Sequence, residues 1–169
     1  MNNIFKNHPK LLQSTYFIKS KQNSKLKKLR KIIYSNQFRK SEKLFWVEGE
    51  KLCNSYFQNV KVKKKLTIVF DEKFEESHIL KILDKYKLVE LELLCLKTSL
   101  FKEISQIDSS PGWGIISSQP YPDVSQSLSI NDLIILDGIQ DPGNLGNIIR
   151  LSAAIGIKNI WLTKGTSDP

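Results

Sequence analysis

One stretch, residues 132–163, constrains the fold of this chain more than any other. Asp132-Leu133-Ile134-Ile135-Leu136 is a short apolar run of the kind a buried strand makes. Asp141-Pro142-Gly143-Asn144 is loop chemistry: the proline fixes φ, the glycine permits positive φ, and Asn144 can cap the next helix. Leu145, Ile148, Ile149 and Ile155 then recur at helical spacing up to Gly156, a natural stop. Residues 157–163 read as a second strand. A strand–helix–strand crossover of this kind is almost always right-handed and parallel.

That geometry places a loop at the carboxyl end of the first strand, where open α/β sheets bind ligands, with free backbone N–H groups at the helix start. Helical side chains lean toward the N-terminus, so Arg150, read in the second turn, points back toward the loop. Loop, Asn144 and Arg150 are expected to share one rim. Two nucleotide motifs are excluded. Gly138 and Gly143 have phosphate-loop spacing, but Asn144-Leu145 stands where Lys-Ser/Thr is required. Gly143 and Gly146 are half a dinucleotide fingerprint, with Asp141 in place of the first glycine.

The run from Leu136 to Arg150, with Gly156 after it, resembles the first motif of the SpoU (SPOUT-class) RNA 2′-O-ribose methyltransferases. That motif reads Asp-x-x-x-Asp-Pro-Gly-Asn-x-Gly-x-x-x-Arg after a strand. Asp137, Asp141, Pro142, Gly143, Asn144, Gly146 and Arg150 all match it. The family commonly continues with Thr-Ala, where this chain has Leu151-Ser152. The resemblance implies an S-adenosylmethionine-dependent enzyme acting on a ribose 2′-hydroxyl of rRNA or tRNA, with Asn144 and Arg150 as catalytic residues. Arg in this motif has been cast as a base. Guanidinium is effectively always protonated, so a fixed cation that binds phosphate and steadies a developing alkoxide is at least as natural a role.

The net charge of +9 is unevenly placed. Residues 1–41 hold eleven basic residues and no acid, which leaves a balance of −2 for the rest. A concentrated basic segment favours a polyanion such as RNA; a solvated face is the plainer alternative. The RNA-binding candidates are Lys19, Lys21, Lys25, Lys27, Lys28, Arg30, Arg39 and Lys40. No run approaches the ~18 apolar residues of a membrane span. Cys53, Cys95, His8 and His78 form no metal spacing, and both cysteines read as reduced, buried residues of an intracellular protein.

Residues 1–17 read as an N-terminal extension, either a ragged terminus or a targeting segment, although they lack arginine. Ser24 is expected to cap a helix burying Leu26, Leu29, Ile32 and Ile33. Phe45-Trp46-Val47 is a strand, and Glu48-Gly49-Glu50 turns it into a helix with Leu52, Cys53, Tyr56 and Phe57. Glu48 reads as a structural or turn residue rather than a catalytic acid, since no partner carboxylate or metal motif accompanies it. The segment from Ile18 to Leu52 also resembles the entry to the family's substrate-binding domain. Beyond it the pattern alternates: strand 66–70, helix 77–86, strand 88–96, helix 99–107, strand 112–118. Trp113, at the start of the last strand, reads as packing, with base stacking as the alternative.

The expected fold is α/β: a small α/β/α substrate-binding domain over residues 18–118, a linker over 119–129, and from 130–169 the first βαβ unit of a SPOUT (knotted Rossmann-like) domain whose knot is missing. Thr166-Ser167-Asp168-Pro169 resembles the approach to the family's second motif. The chain is therefore expected to be an incomplete, C-terminally truncated form, with cofactor-binding residues beyond residue 169. The resemblance implies a homodimer for the complete enzyme. A cytoplasmic location is expected, or an organelle if residues 1–17 are a targeting segment. The alternative is a non-catalytic RNA-binding module, which needs only the basic segment and the first domain. A Rossmann-type dehydrogenase is a distant third, for want of the glycine fingerprint.

Overall fold

Alternation of side chains along three strands builds the larger part of the molecule. A computed structural model describes Phe5 and residues 7–59, 66–86, 91–119 and 132–167. The chain divides into two compact units, Met1–Pro120 and Tyr121–Pro169. In the first, β1 (Thr15–Ile18), β2 (Leu44–Glu48), β3 (Leu66–Asp71), β4 (Leu91–Leu96) and β5 (Trp113–Ser118) form one sheet in the order β1-β4-β3-β5-β2. β4 runs parallel to both β1 and β3, whereas β5 is antiparallel to β3 and β2.

Successive side chains of a strand point to opposite faces. Leu66, Ile68 and Phe70 of β3 join Leu93, Cys95, Trp113 and Ile115 in one core cluster. Val69 joins Leu94, Leu96 and Ile116 in another. Helices α4 (Glu50–Asn59) and α5 (Glu76–Tyr86) contribute Cys53, Phe57 and Ile79 to the first cluster. Helices α2 (Ser24–Tyr34) and α6 (Thr98–Ile104) contribute Leu26, Leu29, Ile32, Ile33, Leu100, Phe101 and Ile104 to the second. Each fully buried Leu, Ile or Phe contributes about 1.5–3 kcal/mol. The result is the three-layer α/β/α arrangement expected from the strand–helix alternation, around a mixed sheet with a parallel centre.

The sheet reaches further toward the N-terminus than the sequence suggests. Within the stretch read as an extension, helix α1 (Pro9–Ser14) leads into β1, whose Thr15–Ile18 pair with Leu93–Leu96. Phe5 is fully buried and meets Phe70 edge-on at 6.2 Å. A four-residue strand is too short to show a period, and its partner lies some 78 positions away. Helix α3 (Asn36–Glu42) also leaves no periodic signal, since Phe38 is its one apolar residue. Ser35 caps it by accepting the Phe38 N–H at 3.2 Å, and Lys43 ends it in the left-handed region.

Smaller corrections are local. The cap of α2 is Asn23, whose side chain accepts the Lys25 N–H at 2.9 Å, so Ser24 is the first helical residue. Helix α6 stops at Ile104 rather than 107, because Ser105 turns extended and gives its hydroxyl to Glu48. β4 begins at Leu91; the earlier part of the expected strand, like most of the 119–129 linker, lies outside the described residues.

The second unit is a single βαβ: β6 (Leu133–Leu136), α7 (Pro142–Ala154) and β7 (Asn159–Leu162). The strands pair in parallel, from Leu133 with Asn159 to Leu136 with Leu162. Among its described residues only Leu136, Leu145 and Ser152 are buried. Ile135 and Trp161 face each other across the ladder on the opposite side of the sheet, 61% and 49% exposed. A lone crossover leaves one sheet face bare.

Candidate functional site

The rim predicted at residues 137–144 is held together by side chains and backbone from two strand ends. Asp141, not Asn144, caps α7: its Oδ1 accepts the Asn144 N–H at 2.7 Å, with Pro142 at the first helical position. That is the favoured pairing of an Asx cap with a proline whose missing N–H costs nothing there. The Asn144 side chain is thereby left exposed in the first turn rather than occupied in capping.

Because the helix begins at Pro142, Arg150 stands in its third turn rather than its second. Six residues separate it from Asn144, about 9 Å along the axis and roughly 240° around it. The two side chains start from different faces, and Arg150 shares its face with Gly143 and Gly146. Asn144 and Arg150 are both exposed, and no hydrogen bond joins their side chains among the described residues. Arg150 therefore approaches the rim only by leaning along the helix toward its N-terminus. Leu151, at the departure from the family pattern, is 66% exposed, and Ser152 turns inward and donates to the Ile148 carbonyl at 2.7 Å. The departure thus puts the large side chain outside and leaves a small one at the packed position.

Sequence reasoning missed Thr163. It follows β7, and its hydroxyl donates to Asp137 Oδ1 at 2.5 Å while accepting the Gly138 N–H at 3.3 Å. Its own N–H donates to the Leu136 carbonyl at 3.0 Å, and Ser167 N–H donates to the Ile139 carbonyl at 2.7 Å. The segment after β7 therefore braces the loop after β6. Gly138 takes φ +64° in this loop, a conformation that favours glycine. Gly138 and Gly165 have no neighbour within 4 Å of an added β-carbon, so both strand ends present bare backbone to the space above them. Thr163→Val should let the Gly138 amide exchange with solvent about five-fold faster, the equivalent of roughly 1 kcal/mol. Thr163→Ser should restore it in the same hydrogen-exchange measurement; equal exchange in all three proteins would remove Thr163 as the brace.

In the first unit, acids from distant segments meet much of the basic run. Lys25 pairs with Glu92, Lys28 with Glu42, and Lys21 and Arg30 both with Glu103. Hydrogen bonding from Lys21, with Arg30 beside it, holds the Glu103 carboxyl below the usual carboxylate range. Any stability from that pairing is present at neutral pH and is lost as pH falls through the lowered value. Arg39 caps α2 through the carbonyls of Ile32 and Ile33, at 3.2 and 3.0 Å. Lys40 also has an interaction partner. Lys19 and Lys27 are exposed and unpaired among the described residues. Of the eight candidates, these two carry no ion pair or side-chain hydrogen bond among the described residues.

Glu48 ends β2 and has a structural role, as expected. It is 5% exposed, and its carboxylate accepts hydrogen bonds from the Ser105 and Ser110 hydroxyls at 2.5 and 2.9 Å and from the Gln106 N–H at 3.0 Å. Cys53 and Cys95 are free and buried. Burial, with the charge of Glu48 adding to it, pushes the Cys53 thiol up to about 12, which leaves it no nucleophile at neutral pH. Trp113 is 3% exposed beneath Phe74, in keeping with packing. Among the described residues no group of His, Cys, Asp and Glu is placed to hold a metal ion.

The SpoU rRNA Methylase family matches residues 132–169. Human mitochondrial rRNA methyltransferase 3 is 30% identical over 143 residues, which are 81% of this chain and 33% of that protein. The 23S rRNA (guanosine(2553)-2'-O)-methyltransferase of Bacillus subtilis (strain 168) is 25% identical over 151 residues, 89% of this chain and 56% of that one. The AdoMet-bound rRNA methyltransferase of Sinorhizobium meliloti has the same fold, with a TM-score of 0.74 at 24% identity over 92% of this chain and 57% of that one. The chain thus spans between a third and somewhat over half the length of these relatives. The SpoU rRNA Methylase signature thus falls on the strand–loop–helix–strand unit, and proteins named rRNA methyltransferases align with four-fifths or more of the chain.

Proposed function

We propose that this chain serves S-adenosylmethionine-dependent methylation of RNA, at the 2′-hydroxyl of a ribose in rRNA or tRNA. The observation that carries the reading is the position of the Asp137-to-Arg150 motif. Its loop lies at the carboxyl ends of two parallel strands, braced by Thr163, with Asn144 exposed in the first turn of α7 and Arg150 exposed in the third. The bare backbone at Gly138 and Gly165 suits one wall of a cofactor site. When bound, the cofactor supplies an electrophilic methyl group on a sulfonium. The reaction forms a ribose O–CH₃ bond, breaks the S–CH₃ bond and releases the hydroxyl proton.

In this reading Arg150 is a fixed cation that holds the phosphate beside the target ribose and stabilises negative charge growing on the 2′-oxygen. Asn144 orients the hydroxyl by hydrogen bonding. Residues 18–118 act as the substrate-binding domain, with Lys19 and Lys27 contributing free charge, and residues 130–169 belong to the methyltransferase domain. A homodimer formed through that domain would give the exposed Ile135, Leu151, Ile155 and Trp161 a partner surface. The cytoplasm or an organelle is the proposed location, as the relatives are bacterial and mitochondrial.

The test is made in the cell of origin. Disrupting the gene should remove one 2′-O-methyl mark from rRNA or tRNA, seen as a ribose position that becomes sensitive to alkaline cleavage. Retention of every ribose mark would sink the enzymatic reading and leave the RNA-binding module.

A further inference from the structure

Two lysines outside the basic N-terminal segment stand beside a groove. Lys81 and Lys85 lie four residues apart along one side of α5, with the His78 ring one turn before them. The groove, of about 400 Å³, lies between α4 and α5, within the range of small-ligand sites. Its floor is aromatic and apolar: Phe74, Ile82 and Tyr86, with Trp113 beneath. Phe74 lies 5.6 Å from the His78 ring and 6.1 Å from the Trp113 ring. Tyr86 is fixed by donating to Asn54 Oδ1 at 2.8 Å and by stacking on Phe57 at 4.1 Å. Lys85 Nζ lies 5.0 Å over the Tyr86 ring.

Charge pairing separates this groove from α2. Lys21, Lys25, Lys28 and Arg30 are paired with carboxylates. Neither Lys81 nor Lys85 has a carboxylate within 4.0 Å among the described residues. Glu50 stands at the lining of the same groove without pairing to them. Unpaired ammonium groups beside an aromatic floor are the combination that single-stranded nucleic acid requires: phosphate on the cations, base on the rings. Bases open to such stacking are unpaired ones, because helical RNA buries its base faces against one another.

We propose that the α4–α5 groove binds one unpaired nucleotide of RNA. The base lies against Phe74, the flanking phosphates meet Lys81 and Lys85, and the Glu50 carboxylate accepts from an exocyclic amino group. The inference rests on the RNA-directed reading above and adds to it a second point of attachment, distinct from the motif in residues 137–150.

The test measures binding of the full chain, without cofactor, to a short single-stranded RNA oligonucleotide across a salt series. Lys81→Ala with Lys85→Ala should lower the slope of log K against log salt by roughly 1.4, at about 0.7 for each phosphate no longer neutralised. Phe74→Ala should weaken binding about five-fold or more. Since Phe74 also contributes to the core, the exposed lysine pair alone decides the matter if that variant unfolds. A slope unchanged by the lysine pair but lowered by Lys19→Ala with Lys27→Ala would overturn the groove in favour of the N-terminal segment. Equal binding of an RNA duplex would overturn the unpaired base, and no RNA binding at all would overturn the proposal outright. The methyl mark is read separately. Groove-dependent binding with every mark retained on gene disruption would refute the enzyme alone, and a missing mark with lysine-independent binding would refute the groove alone.

Discussion

On the methyltransferase reading proposed above, Arg150→Lys should lower the rate of 2′-O-methyl transfer about 10²–10³-fold, the loss seen when one donor to a developing oxyanion is removed. The substitution keeps a positive charge, so the expected loss comes from geometry. Guanidinium presents a planar fork that engages two oxygens at once, whereas an ammonium is a compact, heavily hydrated point charge. Folding should be almost untouched, because Arg150 is exposed and has no hydrogen-bonded partner among the described residues of the second unit. Unchanged thermal unfolding beside a collapsed single-turnover rate is therefore the diagnostic pair. A near-normal rate would mean that charge alone suffices and that the bidentate role is wrong. Asn144→Ala, which removes one neutral hydrogen bond, should cost roughly ten-fold in the same assay.

Glu48→Ala should destabilise the first unit by about 3 kcal/mol, read as a fall in the urea midpoint at unchanged slope. The carboxylate is buried and accepts three hydrogen bonds, two from serine hydroxyls and one from the Gln106 backbone. Truncation leaves those donors facing a cavity, and a hydrogen bond to a charged group is worth about 1.5–3 kcal/mol. The loop at residues 105–112 should loosen first, because Glu48 bonds directly to Ser105, Gln106 and Ser110. Glu48→Gln keeps the volume and should recover part of the loss. A cost below about 1 kcal/mol for the alanine variant would mean that water takes over the carboxylate's role. A second pH-dependent effect comes from Cys53, whose raised thiol stays protonated when the unfolded thiol ionises. Stability from that source is complete at neutral pH and declines as pH rises toward about 12.

The sequence by itself determined the strand–loop–helix–strand unit. An apolar run, a Pro-Gly loop signal and a glycine stop are local, and local backbone physics is enough to read them, although the helix starts at Pro142, inside the stretch read as loop. The same holds for the buried stripe of α2 and for the turn at Gly49, where φ is +94°. Only the tertiary structure decided which charges are free. Eleven basic residues in one segment look like a polyanion site, but Glu42, Glu92 and Glu103 fold back onto four of them, and Arg39 is drawn into capping a helix. Thr163 was likewise invisible, since its partners Asp137 and Gly138 are 26 and 25 residues away. The α4–α5 groove draws its floor from residues between 74 and 113, which only the sheet brings together. A sequence states the charge and shape of each side chain; which of them neutralise one another is settled by pairing across distance, and that is a property of the fold.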